Sequence, residues 1–416
     1  MIEFINQTAK ARGTDYSGNY YLSISSLIVA AFPLGGIVGS LLGAYLSNKL
    51  GRKKALFVFS VPTLLGSCLM LLSKTIGSYE SIIIGRLLIG ISCGAYTGIA
   101  PMMLSEYSPQ KIKGAAGILN QLVIVIAVLL AQVFGLPQLL GNPQNWPILL
   151  GLSIVPCLVQ LLTLPLCPES PRYLMINKRN PNAAKQALRW LRGVNYPDIE
   201  IEIREMETEN ELSVSTNSSS SLKEMFQLRY LRFALFVAIL CHLSQQLSGI
   251  NAIINYSTIL FKSAGLSNAN AQYATLGTGC MNLLVTIVSI FLIERFGRRP
   301  LHLSGLSGML VTAILFLVCL LLRHRYSVTV YGALVCVYLF IGFFAIGPGS
   351  IPWFIVAELF TQENRDVALA ISVLVNWLMQ ILVVLVYPQL LNSIGDWSFS
   401  PFIVLLVIML ALLFKY

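Results

Sequence analysis

The chain has 416 residues, of which 56% are hydrophobic and only 11% charged, far below the roughly 25% charged that is usual in soluble domains. That composition excludes a soluble enzyme and puts the chain in lipid. The formal net charge of +10 sits between long uncharged stretches, so it marks loops at a membrane surface and not a nucleic-acid footprint.

Residues 1–20 lack the apolar core of a signal peptide and carry one glycosylation sequon, Asn6-Gln7-Thr8. Apolar runs of about 20 residues, enough to cross a hydrocarbon core, follow at 21–46, 54–73, 81–104, 114–136 and 146–166. The stretch 169–230 is the only sizeable polar part. Within it Pro181 opens a helix through 192, residues 199–211 form an acidic helix-permissive segment, and Ser213 to Ser221 read as a flexible linker. Six more apolar runs come after it, at 231–261, 273–293, 301–322, 328–356, 366–391 and 398–416. The expected fold class is an all-α polytopic membrane protein with about eleven spans. Its expected parts are an outer segment at 1–20, a first bundle at 21–168, a loop at 169–230 and a second bundle at 231–416. The eight Cys lie in or beside spans without metal spacing, and the three His are dispersed. No metal or cofactor is expected.

Lys and Arg set the orientation. Loops at 47–54, 106–113, 169–232, 294–299 and 358–366, with the C-terminus, hold 21 basic residues, whereas the loops of the opposite side hold 6. The basic side is therefore expected in the cytosol, which puts residues 1–20 and Asn6 outside and makes Asn6 a glycosylation site. The loop motifs also repeat. Gly51-Arg52-Lys53-Lys54 returns as Gly297-Arg298-Arg299, and Glu106, seven residues before Lys113, returns as Glu358, seven before Arg365. Such repetition in a membrane chain points to duplicated bundles around a midplane site, the architecture of secondary transporters. Five spans precede the large loop and six follow it, so equal halves would need one more span ahead of residue 1, twelve in all.

Amides buried in spans are costly unless they bond a neighbour or a ligand. Gln245, Gln246, Asn251 and Asn255 share one span, where Gly249 offers a place for the helix to break; Gln121, Asn282 and Asn376 lie on three others. An amide both donates and accepts, which suits the hydroxyls of a neutral sugar, and Trp353 offers a flat apolar face for a sugar ring. Several amides on different spans favour a ligand site over ordinary interhelical bonding.

The segments GRKK, GRLLIG, CPESPRYL, QQLSGINAIINYST, ERFGRRPLHL, GPGSIPWFIVAELF and the pair Asn376-Trp377 resemble, in order and spacing, the facilitative glucose transporters of the sugar porter branch of the major facilitator superfamily. The resemblance runs from about residue 4 to the C-terminus. It implies a major facilitator fold and a hexose site at Gln121, Gln245, Gln246, Asn251, Asn282 and Trp353, with Phe344, Ala345 and Asn376 at pocket positions. It also implies a cytosolic gate in which Arg52, Glu106, Lys113, Glu169, Arg172, Glu294, Arg295, Arg298, Arg299, Glu358 and Arg365 form salt bridges joining the two halves. Against the family pattern the chain lacks the first span and the tail after the last. Ala345 stands where a Glu is usual, HLS replaces QLS before QQLSGIN, Gln380 replaces an Asn, and Lys113 replaces an Arg and loses its bidentate geometry.

The resulting expectation is facilitated transport of hexose, glucose first, by alternating access in the plasma membrane. The alternatives are a proton-coupled symporter, which needs a carboxylate facing the pathway, and a shortened form that no longer transports. The expected partners are a neutral hexose and the bilayer, without nucleic acid.

Overall fold

A computed structural model describes residues 4, 8, 18–109, 112–193, 199–215, 222–323, 325–326, 328–360 and 362–415. Asn6 lies outside them, as do 216–221 of the Ser-rich stretch. Lys113 opens a helix, but its side chain is also outside the described part.

Every regular element among the described residues is a helix, with no strand among them. The first set comprises α1 (Gly18–Leu50), α2 (Arg52–Ile76), α3 (Glu80–Tyr107), α4 (Lys113–Phe134), α5 (Trp146–Gly151) and α6 (Ile154–Thr163). Short helices follow: α7 (Pro171–Ile176), α8 (Pro181–Arg192), α9 (Ile199–Ser215) and α10 (Leu222–Gln227). The later set comprises α11 (Arg229–Leu247), α12 (Ile250–Ser263), α13 (Asn268–Phe296), α14 (Arg298–Leu322), α15 (Thr329–Ile346), α16 (Ile351–Leu359), α17 (Gln362–Ile394) and α18 (Ser400–Lys415).

Among the described residues ten helical stretches are long and apolar enough to cross a bilayer, and the last covers the 52 residues from Asn364 to Lys415. At 1.5 Å per residue that is about 78 Å, more than twice a hydrocarbon core of roughly 30 Å. It breaks at Gly395, where φ is 55°, so it makes two crossings and the total is the eleven read from sequence. Large apolar side chains face outward along the spans, among them Leu162, Leu284 and Phe291. In water such a surface would aggregate; in lipid it is the required one. The protein is integral to the membrane.

Three expected spans are broken helices. Pro156 has no N–H and its ring crowds the carbonyl four residues back, which separates α5 from α6 near Leu152. Gly249, with φ 86°, separates α11 from α12. Pro348 and Pro352 separate α15 from α16, and the Phe344 carbonyl accepts from Gly349 N–H at 2.8 Å instead. The basic loops are also shorter than expected. Residues 47–50 and 294–296 are helical, so single glycines, Gly51 and Gly297, make the turns. Residues 213–215, read from sequence as linker, end α9 as helix.

Helices of the two sets interlock. α1 packs along α3 and α17, and α4 packs along α13. The α1–α3 contact is glycine-lined: a Cβ at Gly94 would overlap the Gly36 carbonyl oxygen, and one at Gly90 the Phe32 carbonyl oxygen. Met102 with Val356, Phe360 and Leu369 forms one apolar seam between the sets, and Ile118 with Ile351 and Phe354 forms another.

The short helices build a small unit on the basic end. Met175, Ala184, Leu188, Ile199, Ile203 and Met206 form its core. Arg192 holds Glu202 bidentately at 3.1 Å and donates to the Tyr107 carbonyl at 2.6 Å, which ties α8 to the end of α3. Lys185 pairs with Glu200 and holds its carboxyl below the ordinary range.

Candidate functional site: amides at two helix breaks

The α11–α12 and α15–α16 breaks meet at α17, and the sequence-predicted amides converge there. Gln245, on the last turn of α11, donates to the carbonyls of Pro348 and Gly349 at 2.8 and 3.1 Å. Those are backbone oxygens of the α15–α16 break, and they are buried, so without a donor each would be costly in a membrane interior. The Gln245 side-chain oxygen accepts from Asn376 at 2.8 Å, and the same amide nitrogen bonds His242 Nδ1 at 3.0 Å. Asn376 Oδ1 accepts from Gln246 at 2.9 Å. Gln246 in turn accepts from Asn251, which the α11–α12 break folds back toward it.

This network assigns its own amide orientations. Asn376 spends two donors and an acceptor, and Gln245 does the same. His242 meets the Asn376 amide through Nδ1. Gln246 and Asn251 each use one of their two side-chain N–H groups in these bonds, and Asn251 is only partly buried. The Trp353 ring stands edge-on to His242, with centroids 5.2 Å apart and planes at 79°. The result is a neutral, hydrogen-bonding surface beside an indole, which can take a polyhydroxylated, uncharged molecule without meeting a fixed charge.

Phe344 and Ala345 lie on the last turn of α15, both buried, just before the break. Gln121 and Asn282 are buried on α4 and α13, which pack together. Asn282 accepts from Thr286 at 3.4 Å. Among the described residues neither is hydrogen-bonded to the network on α11 and α17. His242, one of the three dispersed His of the sequence, belongs to the network. Its position three and four residues before Gln245 and Gln246 was the available signal, since that spacing shares one helix face.

The charged residues form two repeated pairs at the basic end. Arg52, fully buried, holds Glu106 with Nε at 3.1 Å and Nη2 at 2.9 Å. Arg298 holds Glu358 the same way, at 3.0 and 2.7 Å. Each pair joins helices of one set, not the two sets as the resemblance implied. The helix that follows each turn glycine brings the Arg to the Glu of the next helices in its own set. Glu169 plays another part than the gate pairing expected of it. Its carboxylate accepts from the backbone N–H of Arg52 at 3.0 Å and of Lys53 at 3.2 Å, and so caps the N-terminus of α2. Arg365, buried, donates twice to the Phe360 carbonyl at 3.3 and 3.1 Å and closes the turn from α16 to α17. Arg299 donates to the Phe414 carbonyl at 3.1 Å, Arg295 lies over the Phe296 ring at 5.6 Å, Glu294 is exposed and Arg172 is partly buried on α7. Asp366, absent from the sequence reading, is buried with its Oδ1 3.8 Å from Arg52 Nη2.

The model of the sugar (and other) transporter family matches residues 1–416, the whole chain. The chain belongs to that family. It is 42% identical over 407 residues to the facilitated glucose transporter member 3 of solute carrier family 2 from Ovis aries, covering 98% of this chain and 81% of the relative. The Homo sapiens protein of the same description is 42% identical over 413 residues, covering 99% and 82%. Among solved structures, the proton:xylose symporter XylE bound to 6-bromo-6-deoxy-D-glucose superposes with a TM-score of 0.85 at 23% identity, covering 100% of this chain and 90% of that one. The inward open conformation of XylE from E. coli gives 0.74 at 23% identity, covering 100% and 90%. This transporter therefore has the major facilitator fold.

Proposed function

We propose that this transporter moves a neutral hexose, glucose first, across the plasma membrane by alternating access and without coupling to protons. The hydrogen-bonded amides at the two helix breaks carry the reading. Gln245, Gln246, Asn251 and Asn376 offer donors and acceptors without charge, Trp353 offers an apolar face, and Gln121 and Asn282 supply amides from the facing helices α4 and α13. Phe344 and Ala345 form an apolar wall. Relatives at 42% identity that are described as facilitated glucose transporters point to the same substrate class.

The basic end is assigned to the cytosol by its 21 basic residues against 6. The first set of helices forms one bundle and the later set the other, with the 169–230 linker between them. The Arg52–Glu106 and Arg298–Glu358 pairs hold the cytosolic end of each bundle as a rigid unit, while the amide site lies between the bundles. Uniport fits the placement of the acids. The buried carboxylates of Glu106 and Asp366 lie at the basic end beside Arg52, and among the described residues none is hydrogen-bonded to the amide network.

The test is equilibrium exchange in proteoliposomes holding the chain. A non-metabolised glucose analogue should enter saturably and stop at the outside concentration, with or without an imposed inward proton gradient. Accumulation above that level, abolished by a protonophore, would replace uniport by symport. Absence of saturable entry for any hexose would remove the transport reading.

A further inference from the structure

Asp366 is a buried acid outside both of the repeated Arg–Glu pairs. It sits near the start of α17, 6% exposed, at the seam where α17 meets α1 and α3. A small cavity runs beside it, lined by Ser40 and Ser47 of α1, Gly98 and Met102 of α3, and Ala370 and Val373 of α17. Its carboxylate is hydrogen-bonded by Asn48 of α1, while its Oδ1, without a hydrogen-bond partner among the described residues, lies 3.8 Å from Arg52 Nη2. An acid buried in this way is costly unless a charge compensates it.

The larger compensating charge comes from the other bundle, ahead of the neighbouring Arg365. Arg52 spends Nε and Nη2 on Glu106, Nη1 on the Ser47 carbonyl at 3.3 Å, and lies over the Tyr173 ring at 5.2 Å. Those contacts all fall within the first bundle and the linker that follows it, so they would survive if the bundles parted. The contact with Asp366 would not. It is also the weaker of the two carboxylate contacts, because one guanidinium serves both acids and Glu106 holds the short bidentate geometry. On parting, Asp366 would lose Arg52 and gain water, and loss and gain partly offset each other.

We infer that Asp366 is the positioning residue of the cytosolic gate: its carboxylate, reaching from α17 to Arg52, converts an ion pair internal to one bundle into a latch between the two. The inference rests on the alternating-access reading above. Asp366 touches no substrate; it sets how much of the time this end of the pathway is closed.

The reporter is a cysteine introduced at Ala370, one turn beyond Asp366 and on the wall of the cavity. The full chain carrying it is compared with and without Asp366→Asn and Asp366→Glu, in inside-out and right-side-out vesicles. A membrane-impermeant maleimide is added and modification at position 370 is followed by mass spectrometry. Asp366→Asn should speed labelling roughly five-fold or more from the side that the basic loops face, and Asp366→Glu, which keeps the charge, should leave it near the unsubstituted rate. The native Cys157 and Cys241, both buried, should stay slow throughout. Equal rates at 370 in all three proteins would overturn the latch, and so would Cys157 and Cys241 becoming reactive in step with 370, which would mark a folding role. Hexose entry is measured in the same vesicles. A labelling response without hexose entry in the unsubstituted protein would leave the latch standing and remove the sugar reading.

Discussion

Gln246 concentrates the chemistry of the proposed site in one side chain. It donates to Asn376, accepts from Asn251 and sits at the end of α11 beside the break. Gln246→Leu keeps the volume and removes both roles. A sugar hydroxyl left unpaired in a buried site costs about 1–3 kcal/mol, which corresponds to roughly a 5- to 150-fold loss of affinity. Uptake kinetics at matched surface expression should show it as a raised half-saturation concentration, and an unchanged value would take Gln246 out of the site. Asn376 is a different case. Its amide bonds join His242, Gln245 and Gln246, so its replacement disturbs packing as well as binding and reports less cleanly.

At the scale of elements, the start of α2 shows what the loop motif is for. Gly51 has φ 97°, in the left-handed region that side chains avoid, and a Cβ there would overlap Glu169 Oε2. The glycine lets the turn close in one residue, and the closure brings the first N–H groups of α2 onto the Glu169 carboxylate. An anion at a helix N-terminus contributes about 0.3–1 kcal/mol at exposed sites and up to about 2 where partly buried. Glu169→Gln should therefore lower the thermal midpoint in detergent slightly, and Gly51→Ala should lower it more, since it adds backbone strain to the lost cap. A midpoint unaffected by either change would show that the cap contributes nothing. The copy at Gly297, with φ 78°, has open space around it, so Gly297→Ala should carry only the strain.

For the whole molecule, the sidedness proposed from charge is directly measurable. A protease added outside intact cells should spare the unit between Pro171 and Gln227, and permeabilised cells should expose it. A glycan-removing enzyme should shift the mobility of the intact chain and leave an Asn6→Gln variant unchanged. Cleavage of the 169–230 unit from outside would invert the assignment. The interlocking of α1 with α17 and α4 with α13 also means that the two sets of helices touch along two seams. In the alternating-access reading proposed above, opening at one end is expected to be a tilt about those contacts.

The apolar runs determined the crossings, because lipid leaves a backbone no alternative to helices of span length. The repeated Gly-Arg and Glu motifs determined that Arg52 and Arg298 occupy equivalent places, and the amides picked out on several spans include most members of the hydrogen-bonded network. Which groups actually meet was decided by tertiary structure. Pro348 and Pro352 were plain in the sequence, but the two carbonyls they leave unpaired matter only because Gln245, about a hundred residues earlier, comes within hydrogen-bond distance of them. Arg52 pairs bidentately with Glu106 inside the first set of helices, where the resemblance implied bridges between the halves. Asp366 escaped notice because it stands beside Arg365 at the edge of an apolar run, where a lone acid looks like a solvated end. Only the packing of α17 against α1 and α3 buries it beside Arg52. Ion pairs and orphaned carbonyls depend on distances of a few ångströms between segments far apart in the chain, and local pattern carries no information about those.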